Sequence, residues 1–438
     1  MKHRPTLRRP VRRAGWVIIG TLVSLSRRRL AATLVALLGC VTAVLGVLAG
    51  TLPDSTWVAL PPLPEQGRTA AFALAVDPDN NQVLVAGNSQ GSLLRSTNGG
   101  MSWTTAHASS GALVTIAFDS LKAGLVLAGT RGSGALASKD DGVTWTAVSG
   151  LDGRAVRVFG FALNLIAAGT DRGVYVSPDG LTWTQSGLAN TSIDALAMAA
   201  IHDPVRLVAG GDTASAGGGA PLYQSTDAGA TWSQVNAAIS GSSVSRLAAG
   251  PLPPTGDVRP MIVGTNAGIF ASSDNGATFE PLSGGDHLPS TDYTQIAFVT
   301  DHYDRFYTAS DGGGSDSGGL WWTGDAGAHF TSLSPPLRSV TALAVSNDEV
   351  PILYVATFRS SDHVAALWAY RDTGLAAHGP APTPFASGSR VATTPTPAAT
   401  PTWVHLLQSS QTPYIVLGAV ALIVILLAVV AHFRGRRG

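Results

Sequence analysis

Four aspartates recur along the chain in the same local setting and are the first residues to consider for chemistry. Asp140, Asp179, Asp227 and Asp274 each stand in a copy of the peptide Ser-x-Asp-x-Gly-x-Thr-Trp, or in a close variant of it. Carboxylates at regular intervals can bind metal ions or serve as the acid and base of a glycosidase. An Asp side chain also accepts hydrogen bonds from amides two residues further on, and Gly takes a positive φ without steric cost. The spacing therefore favours a structural turn in each repeat.

Other acidic residues outside these repeats could serve an exported hydrolase. The dipeptides Asp286-His287, Asp292-Tyr293 and Asp362-His363 carry carboxyls, and a glycosidase needs two of them about 5–10 Å apart across one cleft. The sequence alone cannot place them at that distance. The only cysteine is Cys40, so the chain has no thiols for an internal disulfide or a zinc cluster. We predict no metal and no cofactor.

The turn peptide occurs six times and sets the fold prediction. The aromatic residues that end successive copies are 42, 38, 49, 47 and 51 residues apart, close to the period of about 40–50 residues of a four-stranded propeller blade. Small residues and Gly within the strands suit blades that crowd around a central axis. The predicted turn residues are Asn98, Asp140, Asp179, Asp227, Asp274 and Asp325, followed by Trp103, Trp145, Trp183, Trp232, Phe279 and Phe330.

A seventh repeat has the strands of a blade but no recognisable turn peptide. Residues 340–345, 352–357 and 365–370 match the first three strands, and no fourth strand follows Gly374. The segment Ser55–Leu60 reads like the strand that follows a turn peptide, with Trp57 in the place of the Trp. We predict that it pairs with the last blade and closes the ring, which removes open sheet edges. The fold prediction is an all-β, seven-bladed β-propeller.

The charged residues divide the chain into an acidic middle and two basic ends. Residues 53–411 contain all 28 acidic residues and 16 of the 28 Lys and Arg, a net charge of −12. Two uncharged apolar runs are long enough to cross a bilayer, and basic residues beside a span mark its cytoplasmic side. The predicted order is a basic cytoplasmic tail (1–29), a transmembrane helix (30–52), an extracytoplasmic propeller (53–378), a Pro/Thr-rich linker (379–411), a second transmembrane helix (412–432) and a basic cytoplasmic tail (433–438).

Export signals compete with the first of these two spans. Residues 26–30 resemble a twin-arginine signal, residues 37–40 a lipobox, and residues 47–49 a signal-peptidase site. The apolar run is longer than the 7–15 residues usual in a signal peptide, which favours an uncleaved span. Nucleic acid is not predicted as a partner, because the middle domain is acidic.

The arginines of the predicted propeller gather on the side opposite the turn peptides. We define the arginine face as the loops that join second to third strands, the loops that join blades, and the strand ends beside them. Because Arg binds carboxylates through a planar fork, this face is a candidate site for an anionic or peptide ligand. Ordinary ion pairs with nearby aspartates are the competing interpretation. The candidates are Arg68, Arg131, Arg154, Arg157, Arg172, Arg246, Arg338 and Arg359.

At its turn peptides the chain resembles the Asp-box (BNR) repeat propellers, over roughly residues 55–374. That group includes sialidases, sortilin-like receptors, xyloglucan-cleaving glycosidases and photosystem II assembly-factor-like proteins. The sialidase arginine signature is absent, and Glu65, Glu280 and Glu349 are the only glutamates. The resemblance is therefore closest to the assembly-factor-like group, which implies a non-enzymatic membrane-anchored binding or scaffold module. An exported glycoside hydrolase or sialidase-like enzyme is the alternative.

Overall fold

The computed structural model describes residues 52–64, 70–162, 164–199, 205–212, 220–235, 239–252, 258–282, 288–289, 291–314 and 317–374. Strands make up nearly all of the regular structure in this part of the chain, which also contains a 3-10 turn at Gly312–Gly314. The two predicted transmembrane helices, the basic tails and the linker lie outside these residues. Within the described part of the chain, no helix is long and apolar enough to cross a membrane.

Seven antiparallel sheets of four strands form the blades. Strand β1 (Trp57–Leu60) belongs to the seventh blade, and the first four blades follow it along the chain. They are blade 1 with β2–β5 (Ala71–Asp77, Asn80–Asn88, Ser92–Ser96, Thr104–Ala108), blade 2 with β6–β9 (Leu113–Phe118, Val126–Thr130, Ala135–Ser138, Thr146–Ala147), blade 3 with β10–β13 (Val156–Ala162, Leu165–Thr170, Gly173–Ser177, Thr184–Gly187) and blade 4 with β14–β17 (Ala195–Ala199, Arg206–Gly210, Leu222–Ser225, Ser233–Gln234).

The last three blades have the same strand order, and the seventh is completed by β1. They are blade 5 with β18–β21 (Val244–Ala249, Met261–Thr265, Gly268–Ser272, Glu280–Pro281), blade 6 with β22–β25 (Gln295–Val299, His302–Ser310, Gly319–Thr323, Thr331–Ser332) and blade 7 with β26–β28 (Val340–Val345, Ile352–Arg359, Val364–Arg371) and β1. The first strand of each blade contacts the first strand of the next, and β26 contacts β2. The predicted seven-bladed propeller is confirmed.

The apolar core is divided among the seven interfaces between blades. Seven clusters of buried side chains occur, and each combines residues of two neighbouring blades. Between blades 7 and 1, for example, Tyr354 packs in one cluster with Leu84 and Leu94, all three of them buried. Burial of apolar area between sheets is therefore what holds each blade to the next.

Glycines in the second strands allow this close approach. Gly87, Gly129, Gly169, Gly210 and Gly264 occupy the same register position in blades 1–5, opposite the start of the first strand. A Cβ atom added at any of them would come within 2.3–2.8 Å of an atom of the next blade. The predicted use of Gly for crowding around the axis is thus confirmed in five blades.

The predicted turn residues make a dense hydrogen-bond network between third and fourth strands. In blade 2 the Ser138 hydroxyl donates to Asp140 Oδ1 (2.7 Å) and accepts the Gly142 N–H (2.9 Å). Asp140 also accepts the Thr144 N–H (2.8 Å) and hydroxyl (2.6 Å), and the Trp145 indole N–H donates to the Gly142 carbonyl (3.0 Å). Burial is the largest single influence on Asp140 and opposes its ionisation, but the hydrogen bonds together outweigh burial and lower the pKa. The carboxylate is a structural acceptor.

The same pattern recurs in the other turns with small variations. Hydrogen bonds from Thr231 and Ser225 lower the pKa of Asp227 to about 2. In blade 6, His329 replaces the Thr, and its Nδ1 lies 2.7 Å from Asp325 Oδ2. In blade 1 the turn residue is Asn98, which accepts the N–H of residue 102 at 2.8 Å. Each carboxylate or amide is committed to its own turn, as expected of structural residues.

Strand β1 closes the ring as predicted. It pairs antiparallel with β28, and Trp57 lies opposite Tyr370 with ring centroids 4.8 Å apart. The Trp57 indole N–H donates to the carbonyl of Leu333 at 2.8 Å. The strand begins at Trp57, two residues later than the predicted segment, because Ser55 has a positive φ of 46°. Leu60 is buried in the cluster between blades 7 and 1.

Blade 7 lacks the turn peptide of the other blades but contains a turn of the same length, in which the described residues show no Ser–Asp or Asp–Thr hydrogen bond. By strand register Tyr370 takes the place of the turn Ser, so that Asp372 and Gly374 take the places of the Asp and Gly. The Asp372 carboxylate accepts the Gly374 N–H (3.0 Å) and the Tyr307 hydroxyl (2.7 Å). The sequence pattern missed this turn because Tyr replaces Ser and the chain leaves the blade in the middle of it.

The second half of that turn comes from the N-terminal end of the propeller sequence. Thr56-Trp57 supplies the Thr-Trp pair, and the Ser55 hydroxyl lies 2.8 Å from the hydroxyl of Thr373. Asp54 forms an ion pair with Arg371 beside it. Read across the break, residues 370–374 followed by 55–57 spell Tyr-Arg-Asp-Thr-Gly-Ser-Thr-Trp, the length of a complete turn peptide. The seventh turn is therefore assembled without a covalent link.

Candidate functional site

The strand order places seven of the eight candidate arginines on the arginine face. Arg131 and Arg172 lie in the loops between second and third strands of blades 2 and 3, and Arg359 ends β27. Loops between blades hold Arg154 and Arg338. First strands carry the other two, Arg157 in β10 and Arg246 in β18. Arg68 lies outside the described residues. Ligand binding by these arginines stays a prediction.

Three of these arginines have side chains available to a ligand. Arg131, Arg172 and Arg338 are exposed, and none has a side-chain hydrogen bond or ion pair within the described part of the chain. A guanidinium has five N–H donors and no acceptor, so all of these donors face solvent. Arg131 and Arg172 lie in equivalent loops of adjacent blades and give the arginine face two neighbouring free positive charges.

Two other candidates form ion pairs with nearby aspartates. Arg359 forms a two-pronged contact with Asp362, with Nε and Nη2 at 2.9 and 2.6 Å from the two carboxylate oxygens. Arg154 lies 3.7 Å from Asp171. For these two the competing interpretation, an ordinary ion pair, describes the geometry. Pairs this exposed contribute little to stability.

Arg157 connects two blades at the inner edge of the arginine face. Its guanidinium donates to the Asp194 carboxylate and, at 2.6 Å, to the Ser192 hydroxyl, both in the loop that leads into blade 4. Burial raises the pKa of Asp194, and the contact with Arg157 partly opposes that rise. Sequence reasoning did not single out Asp194, although it directly precedes a first strand as Arg157 begins one. The contact links blades 3 and 4.

Arg246 differs from the other candidates because it is half-buried and has no hydrogen bond or ion pair with any described residue. Its Nε atom is inaccessible to solvent and has no hydrogen bond within the described residues. Burial lowers its pKa. A buried guanidinium without a counter-charge is costly, so this position near the start of β18 favours an anion.

Four aspartates at the inner edge, Asp194, Asp212, Asp292 and Asp311, lie close enough for their charges to interact. Asp292 accepts a hydrogen bond from the Ser245 hydroxyl. Burial raises its pKa, the Ser245 bond lowers it, and the charges of Asp311 and Asp212 raise it further. Such a carboxyl is the kind that a hydrolase could use as an acid. Among the described residues, no group of three His, Cys, Asp or Glu side chains is arranged to hold a metal ion.

Comparison with solved structures agrees with the observed architecture. The chain is similar to U3-55K (TM-score 0.54, 13% identity, 73% of this chain and 100% of that one) and to the WD40 β-propeller domain of Doa1 (TM-score 0.53, 13% identity, 73% and 97%). Similarity at this level of identity concerns the fold. By its sheets and by these likenesses, the described chain is a seven-bladed β-propeller.

Weaker likenesses reach two further proteins. YCF48 from Cyanidioschyzon merolae matches with a TM-score of 0.48 and 14% identity, over 72% of this chain and 98% of that one. An ancestral GH74 enzyme matches with a TM-score of 0.46 and 18% identity over 69% of this chain, which spans 55% of that enzyme. A scan against protein-family models and a search of curated proteins find no match.

Proposed function

We propose that this chain is a non-enzymatic binding or scaffold module whose arginine face holds an anionic surface of a protein or peptide. One observation carries the proposal. Arg131, Arg172 and Arg338 are exposed on the same face, and no carboxylate of the described chain neutralises them. The surrounding domain is acidic overall. A protein that leaves free guanidinium groups on one side of an acidic domain has donors for carboxylates or phosphates there.

We propose further that the chain is an Asp-box propeller of the assembly-factor-like kind. The support is the hydrogen-bond pattern of the six continuous turns, in which the Asp or Asn closes its own hairpin and serves no site. In this proposal the turns stabilise the blades and the opposite, arginine face carries the function. Its role would be to assist the assembly of a membrane or cell-surface protein complex.

The proposed setting is the outer side of a membrane, with two spans at 30–52 and 412–432. The basic residues beyond both apolar runs support cytoplasmic termini. The described chain adds that Asp54 and Arg371 are in contact, so the segments toward the two proposed spans leave the propeller at one place.

A topology reporter tests this arrangement. A fusion of alkaline phosphatase to residue 374 is expected to be active, because that enzyme folds only outside the cytoplasm, and a fusion to residue 438 is expected to be inactive. The reversed pair of activities, or activity of both fusions, would show that the two-span orientation is wrong. Equal amounts of both fusion proteins on an immunoblot are the control.

Removal of two free arginines is expected to weaken partner capture. Each charge-assisted hydrogen bond contributes about 1.5–3 kcal/mol, so the double change Arg131→Ala and Arg172→Ala should lower retention of a bound partner by roughly tenfold or more. The measurement is quantitative mass spectrometry of proteins crosslinked to the full-length chain in its own membranes.

The matched control removes the same charge from the other side of the blades. Lys122 lies in the loop between β6 and β7, and Lys139 lies in the turn of blade 2. The double change of these lysines to Ala should leave capture within about twofold of the unchanged chain. Equal losses in both double variants would contradict a role for the arginine face. If the unchanged chain hydrolyses a glycoside and the Asp292→Asn variant does not, the hydrolase alternative would replace the binding proposal.

A further inference from the structure

We propose that a cavity on the arginine face of blade 6 is a specific pocket for a peptide carboxylate next to a flat apolar group. The cavity has a volume of about 320 Å³, within the usual range of ligand pockets of roughly 300–1,000 Å³. Its described lining comes from the loops before and after blade 6, from the loop between β23 and β24, and from strands β24 and β25. The inference rests on the proposed binding function and assigns it a site and a ligand chemistry.

The apolar wall of this pocket is the ring of Trp321, held in place from two sides. A Cβ atom added to Gly319 would lie 2.6 Å from the indole, so only Gly at that position leaves room for the ring. Tyr293 packs edge-on against the indole, with centroids 6.1 Å apart and planes at 66°. The Tyr293 hydroxyl donates to the carbonyl of Pro289, which is also part of the lining.

The side chain of Trp321 is largely buried, with 7% of its surface exposed, and its indole N–H has no partner in the described chain. This N–H is absent from the inaccessible polar atoms found in the same part of the chain. A buried indole normally satisfies this donor, as Trp145 and Trp183 do in their turns, although Trp103 has no partner for it among the described residues. With Pro289 and Pro335 beside it, the ring provides a rigid apolar surface with one hydrogen-bond donor.

Arg338 supplies the positive charge of the pocket. Its side chain is exposed and has no partner in the described chain, and its backbone is held close to the cavity. A Cβ atom on Gly318 would lie 2.6 Å from the Arg338 carbonyl oxygen. No acidic side chain is among the described lining residues. The guanidinium is therefore free to bind a carboxylate in its planar fork.

Two serines complete the polar side of the pocket. The hydroxyls of Ser332 and Ser334 lie 3.2 Å apart, and both residues line the cavity. Ser334 has a φ of 47°, a conformation that non-glycine residues seldom adopt and that is concentrated at ligand sites. The pocket can bind a carboxylate at Arg338, a planar group at Trp321 and an amide at the serines. A peptide that presents a carboxylate near an aromatic residue has all three groups.

Three short peptides distinguish the possible sources of that carboxylate. Acetyl-Ala-Phe with a free C-terminus carries it on the main chain, acetyl-Glu-Phe-amide carries it on a side chain, and acetyl-Ala-Phe-amide lacks it. Binding to the full-length chain would be followed by saturation-transfer NMR titration. For ligands of this size we expect a dissociation constant on the order of 1 mM or tighter for at least one acid peptide.

Two charge variants locate the site. Arg338→Gln is expected to weaken the acid peptide at least tenfold and to leave the amide unchanged. Lys139→Gln removes the same charge from the turn of blade 2, on the opposite side, and should change binding less than twofold. Equal binding of acid and amide, equal effects of the two variants, or no saturable binding would each overturn the pocket. The peptide titration does not depend on Arg131 or Arg172. A negative titration would therefore leave the partner-capture result valid, and a negative partner-capture result would leave the titration valid.

Discussion

Removal of residues 53–60 is expected to unfold the propeller or leave it as soluble aggregates. This deletion takes away Trp57 with its indole hydrogen bond and the buried Leu60. Loss of a buried Leu costs about 2–5 kcal/mol and loss of a Trp about 3–5 kcal/mol. The sum is comparable with the whole stability of a domain, about 5–15 kcal/mol. The exposed edge of β28 would also recruit other chains.

A rearranged variant provides the control for this prediction. Residues 55–60 placed directly after Gly374 would restore the strand and complete the eight-residue turn that is split in the natural chain. A protein made of residues 61–374 followed by 55–60 should unfold cooperatively, with a midpoint within a few degrees of residues 52–374. Circular dichroism melts and size-exclusion chromatography distinguish the three proteins. A folded monomer of residues 61–374 alone would show that β1 is not needed for closure.

The change Gly264→Ala is expected to destabilise the propeller through one methyl group. The added carbon would lie 2.3 Å from the Tyr293 carbonyl oxygen, a backbone atom of the next blade. The blade interface must open to admit it, and overpacking of this kind costs about 1–3 kcal/mol. Urea unfolding followed by tryptophan fluorescence measures the loss as a lower midpoint.

Blade 7 offers a matched control for that substitution. Ala356 occupies the register position of Gly264, directly after the bulge in the first strand. Ala356→Gly creates no clash, and Gly within a strand costs roughly 0.5–1 kcal/mol relative to Ala. We therefore expect Ala356→Gly to lower the stability less than Gly264→Ala does, although the two substitutions are the reverse of each other. A larger loss from Ala356→Gly would contradict the crowding argument.

Repeated sequence features predicted most of the fold because each blade is built from the same local pattern of strands and turns. The turn peptides specify hairpins through contacts within eight residues, and their period fixes the number of strands between them. Trp57 was assigned to the closing strand because it has the same neighbours as the Trp of other repeats. Tyr370 and Asp372 were not recognised as a turn. Tyr370 packs against Trp57, and Asp372 accepts the Tyr307 hydroxyl, so their partners are hundreds or tens of residues away and no local pattern connects them.

For the candidate site, the sequence predicted which face carries the arginines but not which of them form ion pairs. Strand alternation alone decides that Arg131, Arg172 and Arg359 lie at the same ends of their blades. Whether each is free depends on side-chain geometry, since Arg359 bends onto Asp362 three residues away while Arg131 extends into solvent. Arg359 is a candidate ligand-binding residue on the basis of its position alone.

The sequence by itself determined the class of fold, the closing strand and the side on which the arginines gather, because these follow from local turns and from a period of two along each strand. Tertiary structure decided which charges are neutralised, how the seventh turn is completed, and that Trp321 and Arg338 border one cavity. These features depend on distances between side chains far apart in the chain. Such distances are set by how seven blades pack against one another.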